Sequence, residues 1–329
     1  MFSAKTTKKH CIGGELPGTL SKESVFNLNA RPVVTLTAGF GPVARHMGEL
    51  YQKLIKMVDK MPAFPKSVHR VLQLTSDLNY SHKELIRIIN HDPVMTLKIL
   101  KLVNSVYFGF PRQVASINQA VVFLGMNTIK NLALSVATRG MLPQLDHGGL
   151  HTNQFLLHSV GVGTVAKLLA RKLAVPEPEL TDYFVAGLLH DFGKVLFSQF
   201  MPGEFQEALE RARVQGISLH LAERSLIGAD HTEIGSLLGE KWHLPPDLVT
   251  AIRSHHADPA TAPDSCMLHC VQVANRITKQ LRFGDAGDPT LEPLSPAVLN
   301  RFGMDADALL QSLGNLDEEM KKAQVFIRL

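Results

Sequence analysis

Residues Glu179 to Lys194 read ELTDYFVAGLLHDFGK, an apolar stretch of helical length that ends in a His-Asp pair. From Glu179 to His190 the apolar side chains fall on nearly every face of a helix, so the segment must be covered on all sides. It is therefore a central element, and it delivers His190 and Asp191 to the interior. A neutral imidazole beside a carboxylate, just before a glycine turn at Gly193, is a donor pair suited to a divalent metal.

Helical periodicity continues outward from this core segment. On one side lies Phe155 to Lys172, and on the other Pro202 to Gln215, Ser218 to Leu226, His231 to Trp242, Pro246 to His255 and Ala262 to Leu281. These form a lobe over 150–285. Gly140 to Gly149, with Pro143 and the Gly148-Gly149 pair, reads as a connector to an earlier helical lobe over 46–140. In that lobe Ser81 with Glu84 makes a helix start, and Asp92-Pro93 is an N-cap followed by an N1 proline. The helix after Pro93 stops near Gly109 and Pro111; Ile117 to Leu124 and Thr128 to Ala137 follow. Residues 1–45 are a lead segment rich in turn formers, with one β-branched run at Val33 to Thr37. Residues 286–329 are a tail with helices around Pro296 to Phe302 and Asp305 to Phe326. No alternating period-2 run follows residue 40, so the fold class is all-α, in two helical lobes.

Composition narrows the function. At 329 residues, 45% hydrophobic and 19% charged, the chain supports a substantial core. No run approaches the length of a membrane span, and MFSAKTTKKH lacks the apolar region of a signal peptide, so no membrane association and a cytoplasmic location are expected. Three cysteines do not make a disulfide framework. A formal charge of +4 without a dense basic stripe gives no indication of nucleic-acid binding.

Nine of the 15 histidines fall between His151 and His269, several on apolar helical faces where a plain core would hold Leu or Ala. His158 lies mid-helix, His231 opens a helix, and His255-His256 close one. Successive helical residues point about 100° apart, so His255 and His256 share a site only if it is broad, which suits two metals better than one. Simpler roles stand beside this one. His158 could bond a backbone carbonyl, His231 could simply follow the cap Asp230, His255-His256 could be cations at a helix C-terminus, and Lys194 could be solvated. His243 and His269 read as structural or surface, Cys266 and Cys270 as core, and Asn104-Ser105 as a helix end. Leu309, Leu310, Leu313 and Met320 offer a docking face, or pack back on the body.

The set His158, His190-Asp191, His231 and His255-His256 resembles the HD superfamily of metal-dependent phosphohydrolases, and GLLHDFGK is similar to the matching run of the HD-GYP phosphodiesterases. Asp92-Pro93, Asn104-Ser105 with Tyr107-Phe108-Gly109, and Leu124-Gly125 resemble the HDOD domain, a regulatory relative. The resemblance implies a bacterial signal-transduction or scaffold protein with a protein partner and a degenerate centre. In active relatives the metals polarise a phosphoryl group and activate water, with a lysine, here Lys194, neutralising developing charge. The resemblance also assigns ligands: one metal position from His158, His190 and Asp191, and a neighbour from Asp191, His231, His255 and His256. Asn275 stands where the active pattern has the aspartate of the first position. Asparagine loses the charge and the bidentate option. A single iron, manganese, zinc or nickel ion at the second position, with lost turnover, is the resulting expectation. The alternative is a surviving phosphohydrolase acting on a cyclic dinucleotide or another nucleotide phosphate.

Overall fold

The computed structural model describes residues 52–61, 66–75, 81–142, 146–257, 261–288 and 290–328. The lead segment and its Val33 to Thr37 run lie outside the described residues. Within them the chain is helical, with one isolated bridge, His147 to Leu150, and no strand.

The first lobe comprises α1 (52–60), α2 (Lys66–Thr75), α3 (His82–Asn90), α4 (Pro93–Val103), α5 (Ile117–Leu124) and α6 (Met126–Met141). Local chemistry sets its boundaries. Ser81 caps α3 by accepting from Glu84 N–H, and Asp92 caps α4 by accepting from Met95 N–H, with Pro93 in the first turn where no donor is needed. Asn104 ends α4 and bridges to Val114, accepting its N–H at 2.7 Å and donating to its carbonyl at 2.9 Å.

The second lobe holds α7 (Thr152–Lys172), α8 (Leu180–Leu189), α9 (Gly193–Phe200), α10 (Pro202–Gln215), α11 (Leu219–Leu226), α12 (His231–Lys241), α13 (Pro246–Ser254) and α14 (Cys266–Gln280). As the all-round apolar pattern requires, every residue of α8 except Thr181 and Asp182 is buried. Its closest partner is α7. A Cβ on Gly187 would lie 2.5 Å from the Gly163 backbone, so the two helices meet glycine to glycine and hold His158 and His190 side by side. The two polar residues of α8 serve the other lobe: Asn131 in α6 donates to Thr181 Oγ1 at 3.0 Å and Asp182 Oδ1 at 2.8 Å. Lys241 in α12 adds a second tie, donating to the Val58 and Asp59 carbonyls.

The tail folds back as α15 (Pro296–Phe302), α16 (Ala306–Ser312) and α17 (Leu316–Ala323). The single helix expected over Asp305 to Phe326 is broken at Gly314, where φ is +75°, a region that disfavours a side chain. Leu309 and Met320 are buried, Leu310 and Leu313 pack against the common core, and Phe326 lies 4.6 Å from the Phe184 ring. These positions are core, not a docking face. Among the described residues no single helix is long and apolar enough to cross a membrane.

Candidate metal centre

The centre is built at the junction of α8 and α9. His190 caps the end of α8, Asp191 follows, and Gly193 opens α9. The turn expected at Gly193 is thus the first residue of a helix, and the need for glycine is steric: a Cβ there would sit 1.9 Å from the His231 carbonyl oxygen. The start of α9 lies directly on the start of α12, which brings His231 to Asp191 across forty residues of sequence. His231 is indeed preceded by a cap, Asp230 accepting from Thr232 and Glu233 N–H, yet its ring is fully buried in the centre.

Four of the surrounding imidazoles are oriented through Nδ1. Carbonyl and carboxylate oxygens can only accept, so the Nδ1 proton is donated and Nε2 turns inward. His190 donates to the Gly187 carbonyl at 2.7 Å, His255 to Ile252 at 2.9 Å, His231 to Glu223 Oε2 at 2.6 Å and His256 to Glu292 Oε2 at 2.8 Å. Asp191 Oδ1 then lies 3.2 Å from His231 Nε2 and 3.4 Å from His255 Nε2, and those two nitrogens are 3.4 Å apart. A tetrahedral ion with bonds of about 2.0–2.1 Å holds its ligands about 3.3–3.4 Å apart. The triangle has the edge length of such a site, and a donor atom of His256 lies within 4.8 Å of the others. Oδ1 is buried and has no hydrogen-bond partner.

The other oxygen has different company. Lys194 Nζ donates to Asp191 Oδ2 at 2.7 Å and to the Ala286 carbonyl at 3.1 Å. His190 Nε2 is 3.3 Å and His158 Nε2 3.8 Å from the same oxygen, and neither nitrogen has a hydrogen-bond partner. Asn275, in α14, is buried with its Oδ1 also unpartnered. Lys194 is therefore neither solvated nor free at a helix end: it is 1% exposed and anchors the carboxylate. Nor are His255 and His256 helix-terminal cations, since burial pushes His255 down to about 4 and His256 well below its usual range.

Electrostatics separate the two sides. Burial alone would raise the Asp191 carboxyl, but its His190 and Lys194 neighbours hold it well below the carboxylate range. Burial would likewise lower His231, and Glu223 overrides it, pushing the ring up to about 9. His158 falls well below its ordinary value through burial and its His190 neighbour.

Four residues of this environment carry no legible signal in the sequence. Glu223 lies on α11 among ordinary helix-surface charges, yet it is fully buried against His231. His220 and Glu292 meet His256, and Asp288 pairs with Lys279 at 2.6 Å. Cys266, His269 and Cys270 share a helical face whose spacing could also suit a metal; in the fold Cys270 is buried and His269 accepts from Arg301 Nε at 2.8 Å. His243 is exposed.

An HDOD domain model matches residues 61–258. The chain belongs to the HDOD family. An uncharacterised protein of Treponema pallidum (strain Nichols) is 26% identical over 266 residues, 80% of this chain and 50% of that protein, so the chain spans about half the length of this curated relative. An HDOD domain protein of unknown function from Geobacter sulfurreducens is 24% identical, with a TM-score of 0.69 over 86% of this chain and 98% of that one. A candidate phosphohydrolase of Shewanella amazonensis SB2B is 24% identical, with a TM-score of 0.64 over 83% and 97%. A candidate signal transduction protein of Marinobacter aquaeolei VT8 is 18% identical, with a TM-score of 0.66 over 85% of this chain and 66% of that one. These likenesses are of fold.

Proposed function

We propose that this HDOD protein is a regulatory scaffold whose HD-type centre holds one divalent ion, between Asp191, His231, His255 and His256, and does not turn over a phosphoester. The observation that carries the reading is the division of Asp191 between its two oxygens. Oδ1 faces imidazole nitrogens at ligand spacing without a partner. Oδ2 is already neutralised by Lys194, and α14 carries Asn275 where the resemblance places a second carboxylate. A hard or intermediate cation needs negative oxygen, and a fixed ammonium at 2.7 Å from Oδ2 opposes it.

In this account Glu223 fixes the His231 ring, the Gly187 and Ile252 carbonyls fix His190 and His255, and Lys194 holds Asp191 in register. The bound ion, suited to imidazole donors as iron, manganese, zinc or nickel are, would supply Lewis acidity at a single point. A two-metal clamp that stabilises attacking and leaving oxygens together requires the second position as well. The functional output is then recognition of a protein partner, with the ion as a structural or regulatory element, in a cytoplasmic bacterial setting.

The test is hydrolysis by metal-stripped protein reloaded with Mn²⁺ or Fe²⁺, over a panel of cyclic dinucleotides and nucleotide phosphates, with wild type and Asn275→Asp. The scaffold reading expects none from the wild type. Turnover by the wild type that vanishes in His190→Ala and rises in Asn275→Asp would establish a phosphohydrolase instead.

A further inference from the structure

The imidazoles continue past the Asp191 centre. Ring centroids run His158, His190, His255, His256, His220 at 5.5, 4.9, 4.4 and 4.4 Å, so the row ends in α11. There His220 and His256 stack at 19° and turn Nδ1 toward one carboxylate. His256 Nδ1 is 2.8 Å from Glu292 Oε2, and His220 Nδ1 is 3.4 Å from Glu292 Oε1. The first contact is a hydrogen bond. The second is not: His220 Nδ1 and Glu292 Oε1 are both buried atoms without a hydrogen-bond partner. Two groups with lone pairs, facing each other at 3.4 Å with no proton in bonding geometry, leave room for a cation.

Glu292 is held at this place by its own segment. Lys279 donates to Asp288 Oδ2 at 2.6 Å and to the Thr290 carbonyl at 3.3 Å, and Arg276 Nη1 donates to the Glu292 carbonyl at 2.6 Å. Ser218 and Thr290 hydroxyls meet at 2.8 Å, tying the segment to the start of α11 just before His220. A cavity of about 250 Å³ opens beside the group, with His256, Asn275, Arg276 and Glu292 in its lining.

We propose that His220, His256 and Glu292 form a second divalent-cation site, for zinc, cobalt or nickel, with a coordination position open to this cavity. Two imidazoles and one carboxylate are a donor set that leaves zinc an open position, and imidazole favours these borderline ions over magnesium or calcium. Binding here displaces the proton that His256 Nδ1 donates to Glu292, and where both sites are filled Asp191, His231 and His255 suffice as donors for the central ion. At its His220 end the row carries the Glu292 carboxylate. The alternative role for Glu292, orienting His256 as Glu223 orients His231, gives His220 nothing to do.

Metal-stripped full-length protein is titrated with Co²⁺, read by visible absorption and by bound equivalents, for wild type, Glu292→Gln, His220→Asn and His231→Ala. Circular dichroism checks that Glu292→Gln and His220→Asn fold. The expected result is one equivalent lost in each of these two variants, with the other retained. Wild-type equivalents in both variants overturn the proposal, whatever His231→Ala does. Weaker binding in Glu292→Gln at unchanged equivalents, with His220→Asn like wild type, also overturns it and makes Glu292 an orienting residue. Loss in Glu292→Gln with no loss in His231→Ala supports this site and counts against the Asp191 centre; no Co²⁺ bound by wild type contradicts both.

Discussion

Asp191 has two sides, and they differ in what faces each oxygen. Toward His231 and His255 the carboxylate offers a bare oxygen to nitrogens whose outer edges are pinned by Glu223 and a helix carbonyl. Toward His158 and His190 the oxygen is shared with an ammonium, and Asn275 of α14 stands where the resemblance places a carboxylate. The histidine count on the two sides is similar. What separates them is the supply of negative charge, so an inherited ligand pattern can keep its shape while one position loses the means to hold a cation.

The largest effect expected from breaking this contrast is at Lys194. Removing one partner of a fully buried ion pair costs about 3–5 kcal/mol, so Lys194→Met is expected to lower unfolding free energy by that order in a urea titration at pH 7. A change under about 1 kcal/mol, the worth of an exposed pair, would mean that Oδ2 does not depend on the ammonium. Next in size, His255→Ala is expected to abolish binding of Mn²⁺ at the Asp191 centre, measured by calorimetry, while His158→Ala leaves the affinity near that of wild type. Equal losses would erase the distinction between the sides. Glu223→Gln removes the charge that orients His231, and at pH 9 and above, where no proton competes for the ring, loss of such an outer partner typically lowers metal affinity by about 10–100-fold.

A further contrast is in pH. His231 is held up to about 9 by Glu223 in the metal-free protein. Below that value the ring carries a proton that an incoming ion must displace, so affinity rises with pH. One proton released corresponds to about tenfold in affinity per pH unit between 7 and 9, levelling above 9. The same linkage gives the sign for stability without metal. A raised folded value means stability fully present below the unfolded value near 6.5 and lost as pH rises toward about 9. His255, lowered to about 4, acts oppositely, costing stability as pH falls from about 6.5 toward 4. A flat affinity profile from pH 7 to 9 would place the proton elsewhere.

Much of this architecture is written in local chemistry. Ser81 and Asp92 are caps in sequence and in space, and the all-round apolar run ending at His190 is the buried α8. The histidines and Asp191 are legible because imidazole on an apolar helical face is costly without a purpose. Glu223, Asp288 and Glu292 are not, because a carboxylate on a helix or loop looks the same in sequence whether it meets water or a buried cation. Gly193 shows the same limit. A glycine after His-Asp reads as a turn, yet its conformation is helical and its necessity comes from the His231 carbonyl, a contact that only the assembled α9 and α12 create. The break at Gly314 is legible as a glycine inside a helical pattern; Lys194 is singled out by the resemblance, while its burial is not legible, because lysine is seldom buried without a partner and the partner here lies only three residues back.

The central claim, one ion on the Oδ1 side of Asp191 and none on the Oδ2 side, is tested most directly by anomalous diffraction from crystals grown with Mn²⁺ or Zn²⁺. The account predicts an anomalous peak bonded to Asp191 Oδ1, His231 Nε2 and His255 Nε2, with no peak between His158, His190 and Asn275. A peak bonded to His158 and His190, with the His231 side empty, would contradict it.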